Sequence, residues 1–456
     1  MPISSGDHRA EKKIRSVGYI VFLSTIVAIS GFLLGFNTAV ISGVLVFLRR
    51  EFALSNAATE VATSALLLGC LLGAAGASLI GDRFGRRKSL LFTAAIFAAS
   101  TMVTALANSM TVFSLGRLAG GLAIGLSSVL TPVYITEIAP ARNRGTLVSM
   151  NQMALVVGIL IAYLVNWRLA GLGNSSWRWM LGVAVIPALA LFFGLLGVPE
   201  SPRWLISHDQ QDKGRKVLAR LFGPAEADAQ LNLVEQAAGG EQGSWREVFA
   251  PSMRRPLVIA LGLAILCQIT GVNAVLYYGS ILISEHFRGQ TTNTALLASV
   301  TIGSANLIST LIAMRFLDRW GRRPMLLTAT GGMAISLLIL VFAFQVPNVS
   351  TLLVLGSIIS YTSFFAFGMG PVPWVVISEI FPNKIRGRAA SVATSALWSG
   401  TLLVTFTFLS LIRALGVSGT FAIFAALSAF SFVFVWWIVP ETRGKTLEEI
   451  QQQWGN

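Results

Sequence analysis

The sequence predicts an all-α membrane protein in which twelve transmembrane helices form two pseudo-symmetric six-helix bundles. Hydrophobic residues make up 54% of the 456 residues and charged residues only 12%, whereas soluble domains carry about 25% charged residues. A span needs about 20 mostly apolar residues, and six such runs lie on each side of a polar central segment. Short motifs of the first half also recur in the second. These observations exclude a mainly soluble enzyme.

The first half of the chain, residues 1–198, is expected to form one bundle. Its polar start lacks the small-residue cleavage site of a removable signal peptide, so the first apolar run should remain as a span. The six expected spans lie near residues 17–47, 59–81, 89–107, 111–138, 146–168 and 178–198.

The central segment, residues 199–255, is rich in Gln, Asp, Glu, Lys and Arg. Apolar residues in DKGRKVLARLF and AQLNLVEQAA follow a helical spacing, which predicts a soluble linker with short amphipathic helices. The second bundle is expected at 256–440 and a tail at 441–456. Its six spans are expected near residues 256–285, 293–317, 325–346, 350–380, 389–412 and 418–439.

The net charge of +14 comes from 34 Lys and Arg against 20 Asp and Glu. The basic residues are dispersed among apolar stretches, which excludes the continuous basic surface that nucleic-acid binding requires. Most of them lie between spans on the side that also carries the linker and both tails. Cytoplasmic loops are enriched in Lys and Arg. The pattern therefore predicts a multi-pass protein of the cell membrane with both termini in the cytoplasm.

Three motifs of the first half recur about 240 residues later in the same order. DRFGRRK at 82–88 recurs as DRWGRRP at 318–324, Glu137 with Arg144–Gly145 recurs as Glu379 with Arg386–Gly387, and PESPRW at 199–204 is echoed by PETRGK at 440–445. Each motif lies at the same end of a span. The recurrence indicates two six-span halves of common design.

The segments GDRFGRRK, PVYITEIAPARNRG, PESPRWL, ITGVNAVLYY, GPVPWVVISEIFPNKIRG and PETRGKTLEEI together resemble the sugar porter branch of the major facilitator superfamily across essentially the whole chain. The resemblance implies a monomeric carrier in the lipid bilayer that moves a hexose or pentose by alternating access through a site between the bundles. The sequence contains no glycine loop for ATP phosphates. Its two cysteines lack metal-ligand spacing, so no cofactor or metal is expected.

Charged residues cluster at the cytoplasmic span ends. A carboxylate at a helix C-terminus is unfavourable unless cations lie nearby, which predicts ion pairs between neighbouring spans. The resemblance implies a cytoplasmic gate whose pairs break when that side opens; the alternative is a set of topology anchors without a switching role. The gate residues are expected to be Asp82, Arg83, Arg86, Glu137, Arg144, Glu200, Asp318, Arg319, Arg322, Glu379, Arg386 and Glu441.

Polar side chains inside the apolar runs cost free energy unless they are hydrogen-bonded. Amides both donate and accept, as paired sugar hydroxyls require, and an indole packs on the apolar face of a pyranose ring. These residue types predict a sugar site, although each amide could serve only an interhelical bond. The expected site residues are Gln152, Gln268, Asn273, Asn306, Trp374 and Trp398. The sequence departs from the family at Cys267 and Leu397, where amides are common.

The first span carries GFNTAVISG, with Asn37 where proton-coupled members of the family have an aspartate facing an arginine of the fourth span, here Arg117. An amide cannot carry a proton and an arginine stays charged. The acids nearest the spans all lie near span ends; they are Glu60, Asp82, Glu137, Glu285, Asp318 and Glu379. We therefore expect facilitated uniport with Asn37 and Arg117 paired. Proton symport, a sugar sensor without transport, and outward snorkelling of Arg117 are the alternatives.

Two further patterns concern helix packing and helix continuity. Gly69, Gly73 and Gly76 repeat at a spacing that allows close contact between spans. In the tenth span the run GMGPVPW contains Pro371 and Pro373, each of which removes a helical hydrogen bond. We expect this span to be broken near its middle.

Overall fold

The computed structural model describes residues 5–140, 144–239, 244–286, 292–346, 350–382, 384–443 and 449. Every regular element within these ranges is helical. Long apolar segments adopt this form in a membrane because a helix satisfies its own backbone hydrogen bonds.

The first half forms six spans, the last of which consists of two consecutive helices. In chain order the helices are α1 (Ser5–Glu51), α2 (Asn56–Phe84), α3 (Arg86–Ala105), α4 (Met110–Ile138), α5 (Arg144–Leu169), α6 (Ser176–Gly182) and α7 (Val185–Leu196). The hydroxyls of Ser55 and Ser109 cap the N-termini of α2 and α4.

The described part of the linker, which omits residues 240–243, contains four short helices: α8 (Pro202–Ser207), α9 (Gln211–Phe222), α10 (Pro224–Gly239) and α11 (Trp245–Val248). Arg215 on α9 binds Asp228 on α10 at 2.6 Å, and this bond lowers the pKa of Asp228. At the other end of the linker, the Ser244 backbone N–H and then Lys384 lower the pKa of Glu247. The ion pair of Glu247 with Lys384, at 3.2 Å, ties α11 to the second half.

The second half repeats the plan with more interruptions. Its helices are α12 (Arg254–Ile269), α13 (Val272–His286), α14 (Thr292–Trp320), α15 (Arg322–Ala343), α16 (Thr351–Phe364), α17 (Val372–Ile380) and α18 (Arg386–Ile438). Gly271, with φ +94°, separates α12 from α13, and a π-helical turn at Phe365–Met369 separates α16 from α17.

Eleven continuous helical segments of the described chain are long and apolar enough to cross a membrane, and some of them combine two of the helices above. The last segment is α18, which has 53 residues. A straight helix of that length would extend about 80 Å, whereas the hydrocarbon core is only about 30 Å thick. Gly416 interrupts α18 with φ 73° and ψ 172°. α18 is therefore two spans joined at Gly416, which gives the twelve spans predicted from the sequence.

Glycines bring pairs of helices into backbone contact. A Cβ atom on Gly73 of α2 would lie 2.3 Å from the carbonyl oxygen of Leu122 on α4, and one on Gly35 of α1 would lie 1.8 Å from that of Leu155 on α5. Gly76 differs, because its nearest neighbour would be the Ile80 side chain at 3.7 Å. Two of the three glycines in the α2 pattern, Gly69 and Gly73, thus face α4 closely.

The two ends of the molecule differ in charge. The basic end is where α2 meets α3 at Gly85 and α14 meets α15 at Gly321. The opposite end is where α1 meets α2 and where α18 turns at Gly416. Between the halves, α2 packs on α18, α5 on α14, and α1 on α13.

Candidate functional site

The first and fourth spans meet through a buried amide and a buried guanidinium. Arg117 is only 2% exposed, and its Nη1 donates to Oδ1 of Asn37 at 3.3 Å. Nδ2 of Asn37 donates to the Leu33 carbonyl oxygen at 3.2 Å, which fixes the orientation of the amide. The pair therefore carries one positive charge and offers Arg117 an acceptor that does not titrate.

Two of the expected amides lie on either side of the helix break at Gly271. Nδ2 of Asn273 on α13 donates to Oε1 of Gln268 on α12. A Cβ on Gly271 would overlap the ring of Phe424, so a larger residue could not take its place without moving that ring. The break thus leaves the two amides hydrogen-bonded to each other, and Gln268 is buried.

Trp398 lies on α18, which packs against α12, the helix of Gln268. Gly400, two residues further along, lies against Gln268, since its Cβ would be 3.3 Å from that of Gln268. Trp398 is 6% exposed, and its Nε1 has no hydrogen-bond partner among the described residues. A buried indole N–H without an acceptor is costly, so this position is suited to a ligand that supplies an oxygen.

Gln152 and Asn306 belong to the two helices that face each other across the halves. Gly303 of α14 lies against Leu160 and Tyr163 of α5. Asn306 is one turn from Gly303, and Gln152 lies about two turns before Leu160 on α5. Both amides therefore belong to helices that meet at this interface.

The break in the tenth span involves Cys267. In an α-helix the Met369 carbonyl would accept from residue 373, but Pro373 has no N–H. The Cys267 thiol donates to this carbonyl oxygen at 3.0 Å, and Trp374 follows in the first turn of α17. Cys267 therefore supplies the hydrogen bond that the break in the helix takes away from the Met369 carbonyl.

Replacing Cys267 by alanine should leave the Met369 carbonyl unsatisfied and destabilise the protein by about 1–3 kcal/mol. Cys267→Ser should retain more stability, since a hydroxyl can donate in the same direction. Thermal unfolding of the purified variants measures the difference. Cys70→Ala is the matched control, because Cys70 is equally buried but lies in the uninterrupted helix α2. Equal losses for the two alanine variants would contradict the assigned role.

At the basic end of the first half, one arginine joins three helices. Arg86, at the start of α3, pairs with Glu137 of α4 at 3.1 Å and with Asp82 of α2 at 3.1 Å. Glu200 accepts from the Arg87 N–H at 2.9 Å, where a carboxylate is favoured by the N-terminus of α3. Gly85, with φ +92°, leaves room for this carboxylate, because a Cβ would lie 2.4 Å from Oε2 of Glu200.

The second half repeats this cluster with equivalent residues. Arg322 pairs with Glu379 at 2.7 Å, and Glu441 accepts from the N–H groups of Arg322 and Arg323 at 3.0 and 3.1 Å. Gly321, with φ +95°, again leaves room for the carboxylate. The motif repeat read from the sequence thus corresponds to a repeated set of contacts.

The remaining charged residues of the expected gate have varied surroundings. Arg83 lies over the ring of Phe84, Arg386 donates to the Phe381 carbonyl oxygen, and the carbonyl oxygen of Arg319 accepts from Arg443. The side chains of Arg144 and Asp318 lie outside the described residues. The ion pairs of Arg86 with Asp82 and Glu137, and of Arg322 with Glu379, each join helices of the same half, so they hold each half together as a unit.

Hydrogen bonds between the halves occur at the opposite end. Ser42 binds Ser280 at 2.9 Å, and the Tyr163 hydroxyl donates to the Leu276 carbonyl oxygen at 3.1 Å. Nearer the tip of α2, Glu60 accepts from the Ser410 N–H at 2.7 Å and from its hydroxyl at 2.8 Å. These contacts join the two halves at the opposite end.

A cleft of about 180 Å³ separates the halves at the basic end. Its wall includes Asp82 and Arg86 from the first half and Lys384 and Arg388 from the second. A polar cleft thus enters between the halves from the basic end, and a second cavity of about 660 Å³, lined by Phe47, Trp167, Arg168 and Asn293, lies at the opposite end.

A family model described as sugar (and other) transporter matches residues 23–454. The chain belongs to this sugar transporter family. It is therefore a membrane transport protein and not an enzyme, as the motifs predicted.

Members of the family match almost the full chain. A putative metabolite transport protein of Bacillus subtilis is 40% identical over 432 residues, which cover 93% of each chain. An arabinose-proton symporter of the same species is 35% identical over 446 residues, or 96% of each chain. A glucose transport protein of Synechocystis is 35% identical over 462 residues, which cover 95% of this chain and 97% of that protein.

Solved structures of a family member have the same fold. The proton:xylose symporter XylE bound to 6-bromo-6-deoxy-D-glucose aligns with a TM-score of 0.83 at 33% identity, covering 96% of this chain and all of that one. An inward-open structure of XylE from E. coli aligns with a TM-score of 0.82 at 32% identity, again over 96% and 100%. The family's twelve-span fold is thus confirmed for this chain.

The sequence did not reveal the contacts that close the opposite end. Ser42, Tyr163, Ser280 and Ser410 carry no pattern that distinguishes them from other polar residues in apolar runs. Glu60 gave a partial signal, because it is an acid shortly after the start of an apolar run. The structure buries it to 3% exposure, although its position near a span end agrees with the sequence.

Proposed function

We propose that the chain is a facilitative monosaccharide transporter that works by alternating access. The observation that carries the uniport assignment is the buried pair of Arg117 with Asn37, at 3.3 Å. A carrier driven by protons needs a group that gains and loses a proton during the cycle, and an amide does not do so near neutral pH. Sugar would therefore move only down its own gradient.

The proposed substrate is a hexose or pentose. Relatives of the chain are named for arabinose, xylose and glucose. A sugar would bind between the halves, where its hydroxyls can pair with amides and with the unpartnered Trp398 indole. The proposed contacts are Gln152, Gln268, Asn273, Asn306, Trp374 and Trp398.

We assign the basic end to the cytoplasm, because loops rich in Lys and Arg favour that side. Both termini would then be cytoplasmic, and the closed opposite end would face outward. Opening that end would require the two halves to rock as units. The ion pairs of Arg86 and Arg322 support such motion by keeping each half intact. We propose that the cytoplasmic gate forms where these two clusters, one in each half, approach each other when that side closes.

Proton symport is the second candidate, and two observations favour it. Relatives include an arabinose-proton symporter, and XylE is a proton:xylose symporter. Within this chain, Glu60 is a buried carboxylate between the halves. It would be the group to examine if transport proved to be proton-driven.

Uptake by the purified protein in proteoliposomes tests the proposal. Labelled glucose, xylose, galactose and fructose should be measured in counterflow and under an imposed proton gradient. We expect counterflow of at least one of them and no accumulation above the bath concentration. Accumulation driven by the proton gradient would replace uniport by symport, and binding without counterflow would favour a sensor.

Replacing Trp398 by phenylalanine keeps an aromatic side chain but removes the unpartnered N–H together with the five-membered part of the indole. We expect sugar affinity to fall about fivefold, the equivalent of one hydrogen bond of about 1 kcal/mol. The empty protein should lose some stability, because Trp398 is 6% exposed and the smaller ring leaves a cavity, but this loss does not depend on sugar, whereas the loss of affinity does. A binding assay that does not use tryptophan fluorescence, for example calorimetry, measures the change in affinity.

The matched control is Trp437→Phe, since Trp437 lies on the same helix and is 82% exposed. It should leave sugar affinity unchanged. Unchanged affinity in Trp398→Phe as well would remove Trp398 from the proposed site.

A further inference from the structure

Glu60 links the two halves through a carboxylate that is almost fully enclosed. It lies in the second turn of α2, is 3% exposed, and belongs to the first half. Its partner Ser410 lies on α18 in the second half and offers two donors, one to each carboxylate oxygen, at 2.7 and 2.8 Å.

This contact can form only when the two halves lie together at this end. A buried carboxylate is costly unless donors replace its hydration, and Ser410 supplies two of them from across the interface. If the halves separate at this end, water can take the place of Ser410. The carboxylate is therefore satisfied when the end is closed and when it is fully open, but not in between, which favours two discrete states.

The contact is also part of a closed layer rather than an isolated pair. Ser42 bonds to Ser280, and Tyr163 bonds to the Leu276 carbonyl, at the same end. These are contacts of neutral groups, whereas that of Glu60 involves a carboxylate. Hydrogen bonds to charged groups are about twice as strong as neutral ones, so Glu60 should contribute most to keeping this end closed.

We propose that Glu60 is the positioning residue of the gate at the opposite end: its two hydrogen bonds to Ser410 hold the halves together there and must break for that end to open. The proposal rests on the alternating-access part of the proposed function. It does not depend on whether protons drive transport.

The chain provides a matched control at the same end. Glu51 accepts from the Trp177 indole at 2.5 Å and pairs with Arg178 at 3.3 Å, and all three residues belong to the first half. Glu51→Gln makes the same change of charge and size as Glu60→Gln. It leaves the contacts between the halves untouched.

Hydrogen–deuterium exchange of the full-length protein in detergent or nanodiscs tests the gate. Glu60→Gln replaces an acceptor by an amide and should raise exchange in 56–66 and 403–415 while lowering it at the basic end, near 80–90 and 316–326. The closed-to-open ratio should fall about tenfold, and the KM for sugar influx should fall relative to that for efflux. Glu51→Gln should change neither readout.

The pattern of exchange distinguishes a gate from a merely structural contact. Local destabilisation would raise exchange near Glu60 without lowering it at the basic end, and that result would overturn the proposal. An equal shift of exchange in Glu51→Gln would also overturn the proposal.

Ser410→Ala tests the same contact from the other side and removes only the hydroxyl, so it also serves if Glu60→Gln fails to fold. It should shift the equilibrium in the same direction by a smaller factor, and the double variant should not exceed Glu60→Gln. Additive effects would contradict a shared contact. Proton-driven uptake would overturn uniport yet leave the exchange result as expected, so the two failures are distinguishable.

Discussion

Replacing Gly73 by alanine is expected to disrupt the packing of α2 on α4 and to prevent stable folding of the first half. The added Cβ would lie 2.3 Å from the Leu122 carbonyl oxygen and 2.9 Å from the Leu126 nitrogen, and both are backbone atoms that cannot rotate away. Overpacking of this kind costs about 1–3 kcal/mol or more. It outweighs the gain in helix propensity, which is about 1 kcal/mol.

Gly76→Ala is the matched control for Gly73→Ala. The two positions are on the same helix and undergo the same chemical change, but the new Cβ at residue 76 would have its nearest neighbour at 3.7 Å. We expect Gly76→Ala to unfold at or above the temperature of the unmodified protein and Gly73→Ala to yield little monodisperse protein. Size-exclusion chromatography and thermal unfolding measure both. Equal behaviour of the two variants would refute the packing argument.

Replacing Asn37 by aspartate is expected to convert passive transport into proton-coupled transport. The new carboxylate would face Arg117 in place of an amide oxygen now 3.3 Å from Nη1. It would pair with the guanidinium when ionised and release it when protonated, so the protonation state would change with the position of the halves. At one proton per sugar, each pH unit supplies about 1.4 kcal/mol, or about tenfold accumulation.

Proteoliposomes with an acidic exterior measure this gain. The unmodified protein and Asn37→Ser, both neutral at residue 37, should bring sugar only to the bath concentration. An aspartate variant that transports but does not accumulate would mean that coupling needs a further group. Accumulation by the unmodified protein would refute uniport itself.

Much of the fold could be predicted because membrane spans leave a strong record in the sequence. Runs of apolar residues gave twelve spans, and this number holds even where the two last spans form one interrupted helix at Gly416. The repeated DRFGRRK and DRWGRRP motifs indicated two related halves, and the structure adds the reason for their glycines: carboxylates of Glu200 and Glu441 occupy the space that a Cβ would need.

Contacts between distant residues were harder to predict. The partner of Glu60 is a serine 350 positions away, which contributes its backbone N–H as well as its hydroxyl. Every residue except proline has a backbone N–H, so the sequence does not show which of them donates. From the sequence, Cys267 is only a position without the amide that is common in the family. Its bond to the Met369 carbonyl could not be predicted, because it depends on Pro373 leaving that carbonyl free and on α12 lying next to the tenth span.

The placement of Glu200 and Glu441 has a consequence for biosynthesis. Each of them directly follows the last span of its own half and seals the junction between the second and third spans of that half. The first half can thus be locked as soon as residue 200 has left the ribosome, before any part of the second half exists. Domains generally fold as units in the order of synthesis. In each half, the hydrogen bonds of Glu200 or Glu441 can form only after all six spans of that half have been synthesised.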